Sequence, residues 1–199
     1  FSRLSFGTYF ANSTIVAVTV TAGNLLFCSA VGYALAMLNF RGKKVIFALI
    51  LATLMIPGVV TFVPLFVLVA NMGLANTLPG LILPFLVGSF GVFLMRQFIS
   101  GLPKDLVEAG RIDGAGELKI FFRIILPLLG PAMATLGILT FLGSWNNFLW
   151  PLVVAQTNDS YTLPVALALY STGQNQTEYG LLMAGATIVV LPVLVVFLL

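Results

Sequence analysis

Long apolar runs separated by short charged or turn-prone clusters set the pattern of this chain. A helix needs about 20 apolar residues to cross a hydrocarbon core of about 30 Å. Charge at mid-bilayer is costly, so charge-free runs mark the candidate spans. One span is predicted at about 12–38, between Arg3 and Arg41. Between Lys44 and Arg96 lie 51 uncharged residues, about 77 Å of helix at 1.5 Å per residue, too long for one crossing. The turn-prone Asn71-Met72-Gly73 to Asn76-Thr77 divides this run into spans at about 45–70 and 78–96. A fourth follows at about 124–150 and a fifth at about 180–199. The pattern predicts an all-α polytopic membrane helix bundle, one transmembrane domain over residues 1–199 with five spans. Pro57, Pro64, Pro84, Pro127, Pro131 and Pro192 fall inside these spans, where kinks serve either packing or hinge motion. Ala30 and Ala34, four apart, suit close helix contact.

Composition removes most other classes. Of 199 residues, 60% are hydrophobic and 8% charged, with a mean hydropathy of +1.11. A soluble domain carries about 25% charged residues, so an ordinary soluble enzyme, a disordered chain and a nucleic-acid binder are all excluded. With no His and one Cys (Cys28), the chain offers no soft metal site and no internal disulfide. No catalytic residues, metal or cofactor are expected. The opening on Phe1 without Met, and the close on the apolar run Ile188 to Leu199, read as truncation at both ends.

The few charges orient the chain. Lys and Arg gather in cytoplasmic loops, and eight of the nine basic residues fall in residues 39–44 and 96–123. Loops 39–44 and 97–123 are therefore predicted to be cytoplasmic, with the chain starting outside. A full-length protein that starts inside has six spans.

No Asp, Glu, Lys or His lies within a predicted span, which argues against proton-driven transport. The polar residues at depth are neutral: Asn24, Ser29, Ser89 and several threonines, Thr53 and Thr61 among them. They either line a path for a hydroxyl-rich solute or make ordinary interhelical hydrogen bonds. Trp145-Asn146-Asn147 has two readings as well, an interfacial anchor or a sugar-contacting patch of amides beside an aromatic face. Asn24, Trp145, Asn146 and Asn147 are the candidate translocation-path residues. No GxxxxGK[ST] occurs, so any ATP is bound by another chain. The sequons at Asn12, Asn158 and Asn175 carry no weight as three-residue patterns.

Residues 96–123 hold nine of the fifteen charged residues in 28 positions. Pro103 suits a helix start, and Leu102, Leu106, Ala109 and Gly110 recur on one face. Glu108 and Arg111 are three apart and spaced to pair. Asp113-Gly114 ends this helix, with Asp113 as the expected cap of the next. A second piece places Leu118, Phe121, Phe122 and Ile125 on one face. The result is a helix–turn–helix elbow with small residues at its corner. Its balanced charge fits a protein partner better than a lipid surface, where Lys and Arg dominate the polar face.

The stretch Glu108 to Pro131, EAGRIDGAGELKIFFRIILPLLGP, resembles the EAA loop of ABC importer permeases. Glu108-Ala109, Asp113-Gly114-Ala115 and Ile124-x-Leu126-Pro127 match that pattern, and Gly110 stands where the second Ala is usual. Tyr9 to Ser13, Ser144 to Phe148 and Trp150-Pro151-Leu152 are similar to the maltose-type carbohydrate branch of the binding-protein-dependent inner-membrane components. The resemblance implies a permease subunit of a bacterial inner-membrane sugar importer, itself no enzyme. Glu108, Ala109, Gly110, Asp113, Gly114 and Ala115 would form its coupling helix. The implied partners are ABC ATPase subunits that hydrolyse ATP, a second permease subunit in a heterodimer, an extracellular solute-binding protein and the lipid bilayer. An amino-acid or peptide importer permease, and a stand-alone channel or secondary carrier, are the alternatives.

Overall fold

A computed structural model describes residues 5–171 and 179–198. Every regular element among them is helical: α1 (Phe6–Met37), α2 (Lys43–Leu54), α3 (Gly58–Asn71), α4 (Leu78–Ile82), α5 (Ser89–Ser100) and α6 (Asp105–Ile112). There follow α7 (Glu117–Ile120), α8 (Leu126–Leu128), α9 (Gly130–Trp145), α10 (Leu149–Val154), α11 (Leu163–Ser171) and α12 (Tyr179–Leu198). Among the described residues, α1 is the one helix long and apolar enough by itself to cross a membrane. The pairs α2–α3, α4–α5 and α7–α9 qualify only if each bent pair counts as one span. The runs expected at 45–70, 78–96 and 124–150 are thus interrupted, at Met55–Pro57, Leu86–Gly88 and Leu129. Proline explains the first interruption, since Pro57 lacks the N–H that would continue the ladder; Pro84 lies ahead of the second, in a 3-10 turn at Leu83–Phe85.

The chain divides into two compact units, Phe1–Val20 with Phe62–Pro84 and Ile138–Leu199, and Thr21–Thr61 with Phe85–Gly137.

In the second unit, Cys28, Tyr33, Met95, Ile99, Ile120 and Ile125 form the centre of a continuous apolar core. Ala30 packs against this core, and Gly32 beside it makes a close helix contact. A Cβ on Gly32 would lie 2.8 Å from Met95 Cβ and 2.9 Å from the Arg96 backbone nitrogen. Here α1 and α5 touch backbone to side-chain root, leaving no room for any side chain. Lys43 reaches back to the end of α1, donating from Nζ to the carbonyls of Ala36 (3.1 Å) and Leu38 (2.8 Å). That satisfies acceptors that a helix C-terminus otherwise leaves open. The guanidinium of Arg96 lies 4.1 Å above the Phe47 ring.

In the first unit, the Tyr9–Ser13 stretch pins the segment that leads into α11. Asn12 Nδ2 donates to the carbonyls of Asp159 (2.8 Å) and Tyr161 (3.0 Å). Ser13 Oγ accepts the Leu163 N–H at 2.8 Å, capping α11 from outside it. Asn76, the one non-glycine described with positive φ (59°), ties the turn before α4 to the segment after α10. Its Oδ1 accepts from the backbone of Gln156 (2.8 Å) and Thr157 (3.1 Å) and from Ser160 Oγ. Trp150 donates its indole N–H to the Gly80 carbonyl at 3.2 Å.

The crossing at Gly32 is testable. Gly32→Ala should lower the melting temperature of the purified chain by an amount corresponding to about 1–3 kcal/mol of overpacking. Gly143→Ala, inside α9, should leave the melting temperature unchanged or raise it slightly, because a Cβ there meets nothing within 4 Å and alanine favours helix; differential scanning fluorimetry in detergent reads both.

Candidate functional site

The charged elbow of the second unit is the most organised polar structure among the described residues. Asp105 and Glu108 sit in the first turn of α6 and Arg111 in its last, the order the helix dipole favours. The helix closes with a paired C-terminal motif: the Ala115 N–H bonds the Gly110 carbonyl at 2.9 Å and the Gly114 N–H bonds Arg111 at 3.0 Å. This geometry needs a left-handed residue after the cap, and Gly114 supplies it with φ +74°. A side chain there would strain the backbone by about 1–2 kcal/mol. Asp113 is therefore the end cap of α6; α7 is preceded by Gly116 and has no side-chain cap.

One face of α6 is inward. Val107 and Gly110 are buried, and a Cβ on Gly110 would press on Ile120 Cγ1 (3.0 Å) and Ile124 Cδ1 (3.1 Å). Gly in place of Ala thus lets α6 lie close over the helix that follows it. Ala115 packs against the same core. Glu108, Ala109, Asp113 and Gly114 are exposed. The six expected coupling residues therefore separate into four on an outer face and two on an inner one. Ile112, 87% exposed, and Leu118, 75% exposed, join the outer face. The single apolar stripe expected of Leu118, Phe121, Phe122 and Ile125 is split. Phe121–Ile125 forms a π-turn, whose extra residue per turn brings Ile120, Phe121 and Ile125 inward and leaves Leu118 and Phe122 outside.

Arg111 does not pair with Glu108 as its spacing suggested. Its Nε bonds Glu117 Oε1 at 2.7 Å, while Glu117 Oε2 accepts the Tyr33 hydroxyl at 2.6 Å. One carboxylate thus joins α6, α7 and α1. The Arg111 bond, and then the Tyr33 bond, hold the Glu117 pKa below the ordinary carboxylate value, and the same ion pair raises that of Arg111. Glu117 and Tyr33 escaped the sequence reading because a pair six residues apart across a turn has no helical signature. Beside this bridge a cleft of about 170 Å³ is lined by Lys43, Lys104, Glu108 and Arg111 together with the end of α1. Burial is the main cause that depresses the Lys43 pKa, and the charges of Arg96 and Lys104 add to it.

The candidate path residues fare differently. Trp145 is 2% exposed, stacked on Phe141 at 5.8 Å and edge-on to Phe10 at 5.7 Å. Its indole N–H donates to the Val189 carbonyl at 3.0 Å. It is buried in the core of its unit, where its one polar atom finds a partner. Asn24 is also buried, with Nδ2 donating to the Phe85 carbonyl at 2.6 Å. Asn147 Oδ1 accepts the Trp150 N–H at 3.4 Å, at the start of α10. Asn146 is exposed and bonds back to the Leu142 carbonyl at 3.0 Å. The sequons divide too: Asn12 is buried, and Asn175 lies outside the described residues. No cluster of metal-ligating side chains occurs among the described residues.

Residues 29–199 match the model of the binding-protein-dependent transport system inner membrane component family. The chain belongs to this family. It is a membrane protein accordingly. It is 45% identical over 193 residues to the arabinooligosaccharides transport system permease protein AraQ of Halalkalibacterium halodurans, covering 97% of this chain and 69% of that protein. It is 39% identical over 196 residues to the diacetylchitobiose uptake system permease protein NgcG of Streptomyces coelicolor, covering 97% of this chain and 65% of that one. Among solved structures it resembles a chain of a bacterial ABC transporter that imports the acidic polysaccharide alginate. The TM-score is 0.85, with 28% identity over 96% of this chain and 72% of that chain.

For this family member the Glu117 bridge makes a signed prediction. A carboxylate with a lowered folded pKa contributes stability above its unfolded value, and that contribution is lost as pH falls through the folded value. Hydrogen exchange at residues 112–115, corrected for intrinsic rate, should stay protected from about pH 8 to about pH 5 and rise at lower pH. Glu117→Gln should raise it severalfold at pH 7 and flatten the profile.

Proposed function

We propose that the chain is the permease subunit of an ATP-driven importer for oligosaccharides, and that the outer face of α6 is where its ATPase partner docks. The arabinooligosaccharide and diacetylchitobiose permeases among its relatives support saccharide as the solute class over amino acids or peptides. The observation that carries the docking assignment is the outer face itself. Glu108, Asp113, Ile112 and Leu118 stand exposed on an elbow whose inner face is locked to the chain's own core. Isoleucine and leucine in water are unfavourable by about 25 cal/mol per Å² of apolar surface, and a protein groove relieves that cost. A carboxylate such as Glu108 can accept charge-assisted hydrogen bonds from a partner, each stronger than a neutral one.

In this reading loops 39–44 and 97–123 face the cytoplasm of a multi-pass protein in the bacterial inner membrane. The segment from Ala155 to Ser171 lies on the opposite side, where a solute-binding protein delivers its cargo. A second permease subunit completes the path in a heterodimer. Closure of the ATPases pushes on α6. The Arg111–Glu117–Tyr33 bridge passes that displacement to α1 instead of letting the elbow bend.

The experiment is made on the assembled transporter in proteoliposomes. Gly114→Leu should abolish ATP-driven oligosaccharide uptake, combining a backbone penalty of about 1–2 kcal/mol with a clash against the docked partner. Basal ATP hydrolysis by the free ATPase should persist, and the spans should insert normally. Glu108→Ala should reduce uptake by about tenfold, the loss of one charge-assisted bond. Normal uptake in both variants removes the coupling role, and flux without ATP points to a channel.

A further inference from the structure

Between α2 and α3 the chain leaves its backbone bare. The N–H groups of Met55 and Ile56 turn back to the carbonyls of Ala52 (3.1 Å) and Thr53 (3.3 Å). The carbonyls of Leu54, Met55 and Ile56 receive no hydrogen bond from any described residue. Pro57 has no N–H to offer them. Ala52 to Thr61 are exposed without exception, Met55 and Val59 each at 84%. The break at Phe85–Gly88 in the same unit is treated in the opposite way. There the Phe85 carbonyl takes the Asn24 amide at 2.6 Å, and Cys28 Sγ lies 3.5 Å from the Gly88 carbonyl. The chain caps one break from within and leaves the other open.

The open break sits at the middle of the apolar run 45–70. In the topology proposed above, on which this inference rests, that is near the bilayer midplane. Hydrocarbon does not tolerate non-helical backbone there; protein cover or a water-filled cavity does. The flanking side chains favour water. Thr53 Oγ1 and Ser89 Oγ lie 2.7 Å apart, and Thr61 Oγ1 bonds only the Gly58 carbonyl of its own turn at 3.0 Å. Thr53 and Thr61 are exposed and Ser89 half-buried. Each hydroxyl oxygen keeps lone-pair capacity in this arrangement. An apolar partner helix would have no donors for three carbonyls and three hydroxyl oxygens, whereas water and a hydroxyl-rich solute carry many.

We propose that the Leu54–Ile56 carbonyls with Thr53, Thr61 and Ser89 line the water-filled translocation path and accept hydrogen bonds from the hydroxyl groups of the passing saccharide. The adjacent Met55 and Val59 side chains supply apolar surface for the C–H faces of the sugar rings. This surface takes over the role that the sequence suggested for Asn24 and Trp145, both of which the structure buries.

The test is cysteine accessibility in the complete reconstituted transporter, with a charged methanethiosulfonate (the trimethylammonium ethyl reagent) as probe. The buried Cys28 remains in place and its background is measured in the parent. Because a cation at mid-bilayer costs about 2.5–3.5 kcal/mol or more, Thr53→Cys and Thr61→Cys should react at least about tenfold faster than Leu139→Cys, an apolar exposed position on α9. The nucleotide-free and vanadate-trapped states are both probed, and fast reaction in either supports the assignment. Rates equal to Leu139→Cys in both states overturn it, as does reaction with a membrane-soluble maleimide alone. The readout needs no solute. Fast labelling in a complex that moves no saccharide with ATP would remove the importer reading and leave the water-lined surface standing.

Discussion

Backbone carbonyls at helix ends and in connecting segments need donors from elsewhere, and much of the described structure is organised by where those donors come from. The Asn24 amide serves Phe85, the Trp145 indole serves Val189, and the Trp150 indole serves Gly80. Asn12 serves Asp159 and Tyr161. Each donor is a large or amide-bearing side chain sent from one helix to the backbone of another segment in its unit, Val189 within α12 and the rest in short helices or irregular segments. Such bonds connect residues between 44 and 149 positions apart. The polar side chains that look most suited to a solute are thereby consumed in holding the fold.

The elbow obeys a related rule with charge in place of amides. Its corner is closed by the two backbone bonds around Gly114. Its angle to the rest of the unit is held by Glu117, which accepts from Arg111 on one oxygen and Tyr33 on the other. A single carboxylate is thus shared by a surface helix and a long apolar helix. It is half-exposed, so its thermodynamic weight is modest. Its geometric role is larger than its energy, because without it α6 would be tethered only through Val107, Gly110 and the turn.

The charge-free runs are helical in the described residues, but three of them are broken into bent pairs, and a missing charge does not signal where a run bends. The Asp113-Gly114 corner was legible, because positive φ selects glycine. Breaks within the runs were legible only as prolines, and proline does not announce whether its break is capped. The burial of Trp145 and Asn24 was not legible for one reason: a polar atom in an apolar run looks exposed until its internal partner is known. The π-turn at Phe121–Ile125 was invisible, and it moved Leu118 and Phe122 from the inner face to the outer one. Asn76 had a weak signal, being an asparagine in a turn where left-handed backbone is tolerated. Nothing in its neighbours indicated the four acceptances at its side-chain oxygen.

Two surfaces remain that are wrong for the solvent each would meet alone. Ile112 and Leu118 present apolar groups on the charged elbow, the segment least suited to hydrocarbon. Leu54 to Ile56 present bare carbonyls in the middle of a run otherwise suited to nothing else. A chain that serves the carbonyls of Phe85, Gly88 and Gly80 from within has the means to cap a break, so leaving one open is not a failure of packing. In the topology and docking proposed above, apolar surface on the elbow asks for protein and bare carbonyls at depth ask for water. An assembly of that kind, covering the first while keeping the second wet, would couple an outside force to an inside path. The Glu117 bridge lies between them in the same unit, joining the elbow to α1, whose Gly32 crosses α5 in direct contact. Ser89, the hydroxyl partner of Thr53, begins that same α5. A displacement of α6 therefore has a continuous route of close contacts to the open break, through a bridge and a crossing that have little room to yield.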